Sequence, residues 1–502
     1  MLHIKELIIK DIHHDLLLVN TLSLTLGKND KIAIIGNEGS GKTTLLNVIA
    51  NIELPHISVQ GTIIRPPLIG YLKQNISLEY GDVTVQDFIG SNIVNHDYFT
   101  NVYALFGTVA LSYELLKDRK IKTLSGGEKV KVGLISVLLN EPNILLLDEP
   151  SNDLDLESLL FLEKFILSAT TPVLFVSHDQ RFLQNVSNGI IHLQHISRKN
   201  VVQTYFARLN YAEYKERFIS QYESDLMIAR KQRSDYAKRM DKFRQIYSKV
   251  AHQQMITKHD YIGQLLKRKI KTMKSQERRF LKEKESFKEI PLKEEPMNLF
   301  FEREQKKLNQ NKKLIEIMLK NFTLKNNDVI SEINLTVKAT EKIAIIGHNG
   351  SGKTTLLQYI YNYARTSGIK VGYLSQNYDE VLDIETDAVS FLLSAQKKYP
   401  LHRIRQILGA MGFKQHEMTC SIKKLSEGTK LKVLLFLLVS KDVDLLLLDE
   451  PTRNLSPMNQ DELYNLFLSF QGAIIAVSHD REFIETVFDD VYTLNSDCLS
   501  KM

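Results

Sequence analysis

The sequence predicts an α/β chain: a tandem repeat of one sheet-and-helix domain, with a long antiparallel α-helical hairpin between the copies. Three observations predict it. The stretch KIAIIGNEGSGKTT (31–44) returns as KIAIIGHNGSGKTT (342–355). Four further short stretches recur in the same order after each copy. Between the copies, residues 215–293 hold 22 Lys and Arg against 10 Asp and Glu, although the whole 502-residue chain carries only +6.

A chain of 502 residues exceeds one ordinary domain, and 43% hydrophobic with 25% charged residues is a normal globular composition. The two cysteines, Cys420 and Cys498, form no CxxC, which excludes a disulfide framework or a cysteine-ligated metal cluster and fits a reducing cytoplasm. The N-terminal MLHIKELIIKDIHHD is broken by charge and lacks a signal-peptide apolar block. The longest apolar runs, VLLFLLV (433–439) and LLLL (445–448), are strand- or core-helix-sized. A soluble, cytoplasmic protein with no membrane partner is expected.

Each repeat opens on KIAIIG, a β-branched apolar run that reads as a buried strand. TLLNVIA and TLLQYIY follow with helical spacing. Strand, glycine loop and helix are the context in which GxxxxGK[ST] binds phosphate. The candidate loops are Gly36, Asn37, Glu38, Gly39, Ser40, Gly41, Lys42, Thr43 and Thr44, and Gly347, His348, Asn349, Gly350, Ser351, Gly352, Lys353, Thr354 and Thr355. Their backbone N–H groups would converge on phosphate oxygens at a helix N-terminus. Lys42 and Lys353 would reach the terminal phosphates, and Thr43 and Thr354 would ligate Mg2+.

The later stretches keep step. GYLKQ (70–74) answers GYLSQ (372–376), LSGGE (124–128) answers LSEGT (425–429), NILLLDEP (143–150) answers DLLLLDEP (444–451), and VSHD recurs at 176–179 and 477–480. An apolar strand ending in Asp-Glu sets two carboxylates on the ligand edge of an open sheet. Asp148 and Asp449 are candidate Mg2+ holders, with Gln74 and Gln376 sensing metal and water. Glu149 and Glu450 would polarise an attacking water that His178 and His479 hold in line. A lone histidine after a strand is ordinarily structural, but these two each follow their aspartate by 30 residues. Ser125, Gly126 and Gly127, and Ser426 and Gly428, open helices as further anion-binding termini, unless they serve as plain caps.

The ordered set of phosphate loop, glutamine, LSGGE, DEP and SHD resembles the ATP-binding cassette (ABC) ATPases. The resemblance spans residues 1–198 and 312–502 and implies two tandem ABC-type nucleotide-binding domains, P-loop NTPase sheets with helical subdomains. It implies ATP and Mg2+ as cofactors and hydrolysis of ATP to ADP and phosphate. It also implies a head-to-tail pairing inside one monomeric chain. Ser125 and Gly127 would then complete the site on Lys353, and Ser426 and Gly428 the site on Lys42.

Residues 199–311 remain as an interdomain linker. Tyr236, Met240, Phe243, Tyr247 and Val250, then Ile262, Leu266, Ile270, Met273 and Phe280, carry helical spacing, and no proline intervenes before Pro291. Helices over 211–250 and 260–289 are predicted, with a tip at about 250–260 and an arm of roughly 55 Å at 1.5 Å per residue. The clusters RKQR (230–233), KR (238–239) and KRKIK (267–271) have one sign and are interleaved with aromatics, which favours RNA over a merely solvated face. DNA and an acidic protein stay open.

Two cassettes around a basic hairpin, with YFARLNYAEY (205–214) at its start, resemble the ABC-F family of ribosome-associated ATPases. That resemblance implies a ribosome partner, with the hairpin near peptidyl-site tRNA and the peptidyl-transferase region. Within the family the sequence leans towards antibiotic-resistance ribosome protectors, against the lincosamide, pleuromutilin and streptogramin A classes, rather than housekeeping translation factors. The linker is long. Lysine-to-signature-serine spacing is only 83 residues in the first repeat against 73 in the second, leaving little room for an inserted arm. DEPTRNLSP replaces the family's usual DEPTNHLD. A transporter ATPase subunit is the alternative from another class, and DNA maintenance a third.

Departures from the family pattern point to unequal sites. Asp153 stands where a histidine is usual, Ser456 where the first repeat has Asp155, and Glu427 where the signature has glycine. Phe322 is the candidate adenine-stacking residue in the second repeat, and His13 or His14 in the first.

Overall fold

The computed structural model describes residues 1–74, 76–92, 101–152, 154–196, 201–256, 260–291, 296–301, 312–324, 329–453, 455–495 and 498–502. The chain divides into two compact units, Met1–Tyr211 with Glu294–Met502, and Ala212–Lys293.

In the first unit, the first repeat forms strands β1 (Leu2–Asp11), β2 (Leu16–Leu26), β3 (Lys31–Gly36), β4 (Ile57–Ile64), β5 (Ile69–Leu72), β6 (Ile144–Leu147), β7 (Val173–Val176), β8 (Gly189–Ile196) and β9 (Val201–Ala207). Its principal helices are α1 (Lys42–Ile49), α2 (Gly126–Leu138), α3 (Leu156–Ser168) and α4 (Gln180–Val186). Next in the chain come α5 (Tyr211–Ile256) and α6 (Asp260–Glu285). The second repeat has β10 (Lys313–Thr323), β11 (Val329–Lys338), β12 (Lys342–Ile346), β13 (Val371–Leu374), β14 (Leu445–Asp449), β15 (Ala473–Val477), β16 (Asp490–Leu494) and β17 (Leu499–Lys501). Its helices α7 (Lys353–Thr366), α8 (Glu427–Ser440), α9 (Gln460–Ser469) and α10 (Arg481–Val487) match those of the first.

The strand orders β5-β6-β7-β3-β8-β9 and β13-β14-β15-β12-β16-β17 coincide position for position. All neighbours are parallel except the closing pairs β8–β9 and β16–β17. Helices cover both faces of such a sheet, so its strands need unbroken apolar runs rather than alternation. Each residue of β6, β7, β14 and β15 is buried accordingly. The VLLFLLV run lies within α8 and is buried all round, as a helix without a polar face must be. Antiparallel sheets β2-β1-β4 and β10-β11 complete the repeats. The α/β class, with tandem sheets and a helical pair between them in the chain, is as the sequence predicts.

The second unit is the helical pair. Phe243, Val250 and Met273 form its buried seam, flanked by Met240, Tyr247, Leu266, Ile270 and Phe280. Contacts descend in antiparallel register, from Asp225–Lys288 through Arg239–Glu283 to Phe243–Phe280. The first helix runs six residues beyond the expected 250, because no glycine or proline interrupts it. At 46 residues it spans about 69 Å, longer than the arm predicted from sequence. The second helix stops at Glu285, short of 289. There the backbone N–H of Lys288 donates to Gln232 and its carbonyl accepts from Arg233, so those groups are taken by side chains instead. The expected tip reaches into 257–259, which lie outside the described residues, as does the linker edge at 302–311.

Candidate active sites

β3 and β12 lie centrally in their sheets, and each ends in the glycine loop that opens α1 or α7. Gly41 and Gly352 take φ of 91° and 89°, a left-handed conformation that glycine adopts without steric cost. Neither helix has a side-chain cap, and a helix N-terminus is a favourable place for an anion. Lys42 Nζ donates to the carbonyls of Gly36 and Asn37, both at 2.9 Å. Lys353 Nζ donates to Gly347 at 2.7 Å and His348 at 2.8 Å. Both ammonium groups are buried, and burial pushes that of Lys353 below its ordinary value. Ser40 and Ser351 add buried hydroxyls with no hydrogen-bond partner among the described residues.

The carboxylates meet these loops at the sheet edge. Glu149 and Glu450 adopt φ of 50° and 49°, left-handed values that cost energy in any residue with a Cβ. The same strain, twice, aims each glutamate away from its strand. Asp148 and Asp449 are buried, and each keeps one oxygen without a hydrogen-bond partner among the described residues, Oδ1 and Oδ2 respectively. Burial raises both, Asp148 to about 6, while bonds from Thr43 and Thr354 oppose the rise. Gln74 lines a cavity with Thr43 and Glu149, and Gln376 lines another with Thr354 and Asp449. Hydroxyl, carboxylate and amide oxygens are the hard donors Mg2+ prefers, so this donor set fits the ion.

The two histidines differ. His178 Nε2 lies 2.9 Å from Glu149 Oε1, and its Nδ1 lies 3.0 Å from the carbonyl of Leu455 in the other repeat. With oxygens facing both ring nitrogens, a proton must lie in the His178–Glu149 bond. Burial alone would raise the Glu149 carboxyl, but the His178 charge and bond hold it below its usual value. His479 Nε2 is 3.8 Å from Glu450 Oε1. Burial, then Asp449, pushes Glu450 up to about 8, and burial with the Lys353 charge drives His479 down to about 4.

Each cavity draws on both repeats. One, of about 560 Å³, is lined by Lys353, Gln376, Glu450 and His479 together with Ser151 and Asn152. The other, of about 380 Å³, is lined by Lys42, Gln74 and Glu149 together with Arg453. Gly428 N–H of α8 donates to Glu38 Oε2 at 3.3 Å, joining the second signature to the first phosphate loop. Asp155 caps α3 through Ser158 and turns its other oxygen to His348, 3.1 Å away in the second loop. Ser456, its counterpart, has a buried hydroxyl without a hydrogen-bond partner among the described residues, and Asn459 reaches Asn37 instead at 3.4 Å.

Signature residues otherwise act locally. Ser125 forms a capping box with Glu128 at the start of α2, where Gly126 is the first residue. A Cβ on Gly127 would come within 2.2 Å of Ser158 Oγ in the same repeat. Ser426 caps α8 through Thr429. Gly428 thus contacts the loop of the opposite repeat, while Asp155 and Asn152 bring the first repeat to the Lys353 loop. Phe322 packs edge-on against Tyr359, and His14 bonds Asp11. Leu18 and His56 are among the side chains lining one cavity, and Leu324 lines the other. Asn152 and Arg453 line both cavities and were not singled out from sequence. Their place directly after DEPS and DEPT was the available signal. Asp153 lies outside the described residues.

The family described as ABC transporter matches residues 19–152 and 330–453, together just over half of the chain. The chain belongs to the ABC transporter family. It is accordingly an ATPase whose ABC domains bind ATP. Among the described residues, no helix is long and apolar enough to cross a membrane. The ATP-binding protein Uup of Buchnera aphidicola (from Schizaphis graminum) is 28% identical over 97% of this chain and 79% of its own length. Ribosome protection protein VmlR of Bacillus subtilis is 28% identical, over 96% of this chain and 84% of its own. An archaeal ribosome recycling factor, aABCE1, solved with ribosomal stalk protein aP1, shares the fold with a TM-score of 0.61. It is 16% identical and covers 99% of this chain and 90% of its own.

Proposed function

We propose that this ATPase is a cytoplasmic ribosome-binding factor of the ABC-F type, acting as a monomer in three parts: cassettes over 1–198 and 312–502 and a linker over 199–311. The observation that carries it is the helical pair with its flanking residues, a segment that holds net charge +12 over 215–293. Exposed Met255, Ile256, Tyr261 and Ile262 stand at its distal end, where apolar groups among cations suit unstacked RNA bases. The likeness to a relative named as a ribosome protection protein supports the same reading. The linker would reach towards peptidyl-site tRNA and the peptidyl-transferase region and displace lincosamide, pleuromutilin or streptogramin A antibiotics.

In the sites, Lys42 and Lys353 would leave their loop carbonyls for the terminal phosphates. Thr43, Gln74 and Asp148, and Thr354, Gln376 and Asp449, would hold Mg2+, which when bound neutralises phosphate charge. Glu149 and Glu450 would polarise water held in line by His178 and His479. ATP would close the repeats into the ribosome-binding state, and hydrolysis would release it.

Co-sedimentation of Glu149→Gln/Glu450→Gln with ribosomes tests this. Pelleting with ATP but not ADP is expected. Deleting Ala251–Lys258 should spare binding and abolish drug tolerance. A double variant that stays in the supernatant with both nucleotides would sink the ribosome reading.

A further inference from the structure

The first phosphate loop has Glu38 where the second has Asn349. Glu38 is exposed, yet its carboxylate accepts the N–H of Gly428, 390 positions away in sequence. Gly428 is the second residue of α8, whose 14 aligned peptides give its N-terminus a partial positive charge. The neighbouring acid, Glu427, is already matched by Lys430 at 2.9 Å, which also meets Asp379 at 2.8 Å. Glu38 thus contributes the charge that faces the signature helix. At the Lys353 loop the corresponding side chain is a neutral amide, and the corresponding signature residue to Glu427 is Gly126.

We propose that Glu38 is a specificity-determining residue of the Lys42 site: its carboxylate takes the signature N–H in place of a terminal phosphate, and ATP must displace it. This rests on reading the cavities as ATP sites shared between repeats. The contact closes the Lys42 site without nucleotide, and the negative charge opposes the triphosphate that replaces it. The two sites consequently differ in affinity through one side chain that touches neither the metal-holding aspartate nor the glutamate–histidine pair.

The test uses the full chain in a Lys353→Ala background, so that binding of Mg2+-ATP and Mg2+-ADP reports the Lys42 site. Removing a like charge beside the terminal phosphate, with Glu38→Gln, should tighten ATP about tenfold in partly screened surroundings. ADP, lacking that phosphate, should gain less than about twofold. Unchanged or weaker ATP binding, or an equal gain for ADP, overturns the proposal. Adding Lys42→Ala separates the two levels. If it leaves ATP binding intact, the site reading fails and takes the proposal with it; if it abolishes binding while Glu38→Gln is silent, the proposal alone fails. Without nucleotide, Glu38→Ala should speed amide hydrogen exchange at residues 426–430, and unaltered exchange overturns the contact.

Discussion

His178 Nε2 stands 2.9 Å from Glu149 Oε1 and ties that glutamate to the other repeat through Leu455. The equivalent pair, His479 and Glu450, is separated by 3.8 Å, and burial leaves Glu450 with a pKa of about 8. On the proposed mechanism, the proton must leave Glu450 before it can polarise water. In Glu149→Gln, where turnover falls to the Lys353 site, kcat should therefore climb as pH rises through about 8. Glu450→Gln should show no such limb, since Glu149 is held low. Paired pH–kcat profiles decide, and matching profiles would remove the asymmetry.

Asp179 concerns stability. Burial, then the charge of Asp480, raises its pKa from 3.8 to about 6. The folded state thus binds this proton more tightly than the unfolded state, so the stabilisation is complete below pH 3.8 and is lost as pH rises through about 6. Asn can keep the bond to Phe182 N that caps α4 while removing the charge. Asp179→Asn should raise Tm at pH 8 by about 1–3 °C and flatten the acid dependence. A lower Tm at pH 8 would contradict this.

Arg481 of the second repeat bonds Glu163 of the first, and Asn185 also reaches that carboxylate. Both charged side chains are largely buried, 16% and 8% exposed. Glu163→Ala should cost about 3–5 kcal/mol in unfolding experiments, because Arg481 keeps its charge without this partner. Glu163→Ala/Arg481→Ala should cost less than the sum of the single changes. Additive losses would mean the two residues act separately.

Among the described residues, Phe243, Val250 and Met273 are the buried apolar seam between the paired helices. Phe243→Ala should remove about 3 kcal/mol of local stability. Hydrogen exchange would accelerate over 236–285, while ATP hydrolysis by the isolated protein changes less than about twofold. Exchange unchanged over that span would place the stability of the pair elsewhere.

Much of this architecture can be read from residues alone. KIAIIG, ILLLDEP and VSHD are legible because a parallel sheet covered on both faces demands apolar runs, and its ligand edge demands polar groups directly after them. The helical pair is legible from spacing, but its second helix stops several residues short because Gln232 and Arg233 take the backbone of Lys288. Contacts between repeats leave no such trace. Glu38 with Gly428, Asp155 with His348 and Glu163 with Arg481 are joined by how two folded surfaces meet, which no local period encodes. Leu18 and Leu324 escaped notice as pocket walls because an aliphatic side chain beside a glycine loop looks like ordinary core.

Both cavities borrow side chains from both repeats, yet the repeats are successive parts of one polypeptide. In a dimer of identical chains every substitution arrives twice, once at each site. Here Glu38 and Asn349, or Asp155 and Ser456, are inherited as separate letters. Joining the copies therefore lets one site be retuned while its twin keeps its chemistry, and the division of labour can be altered one residue at a time.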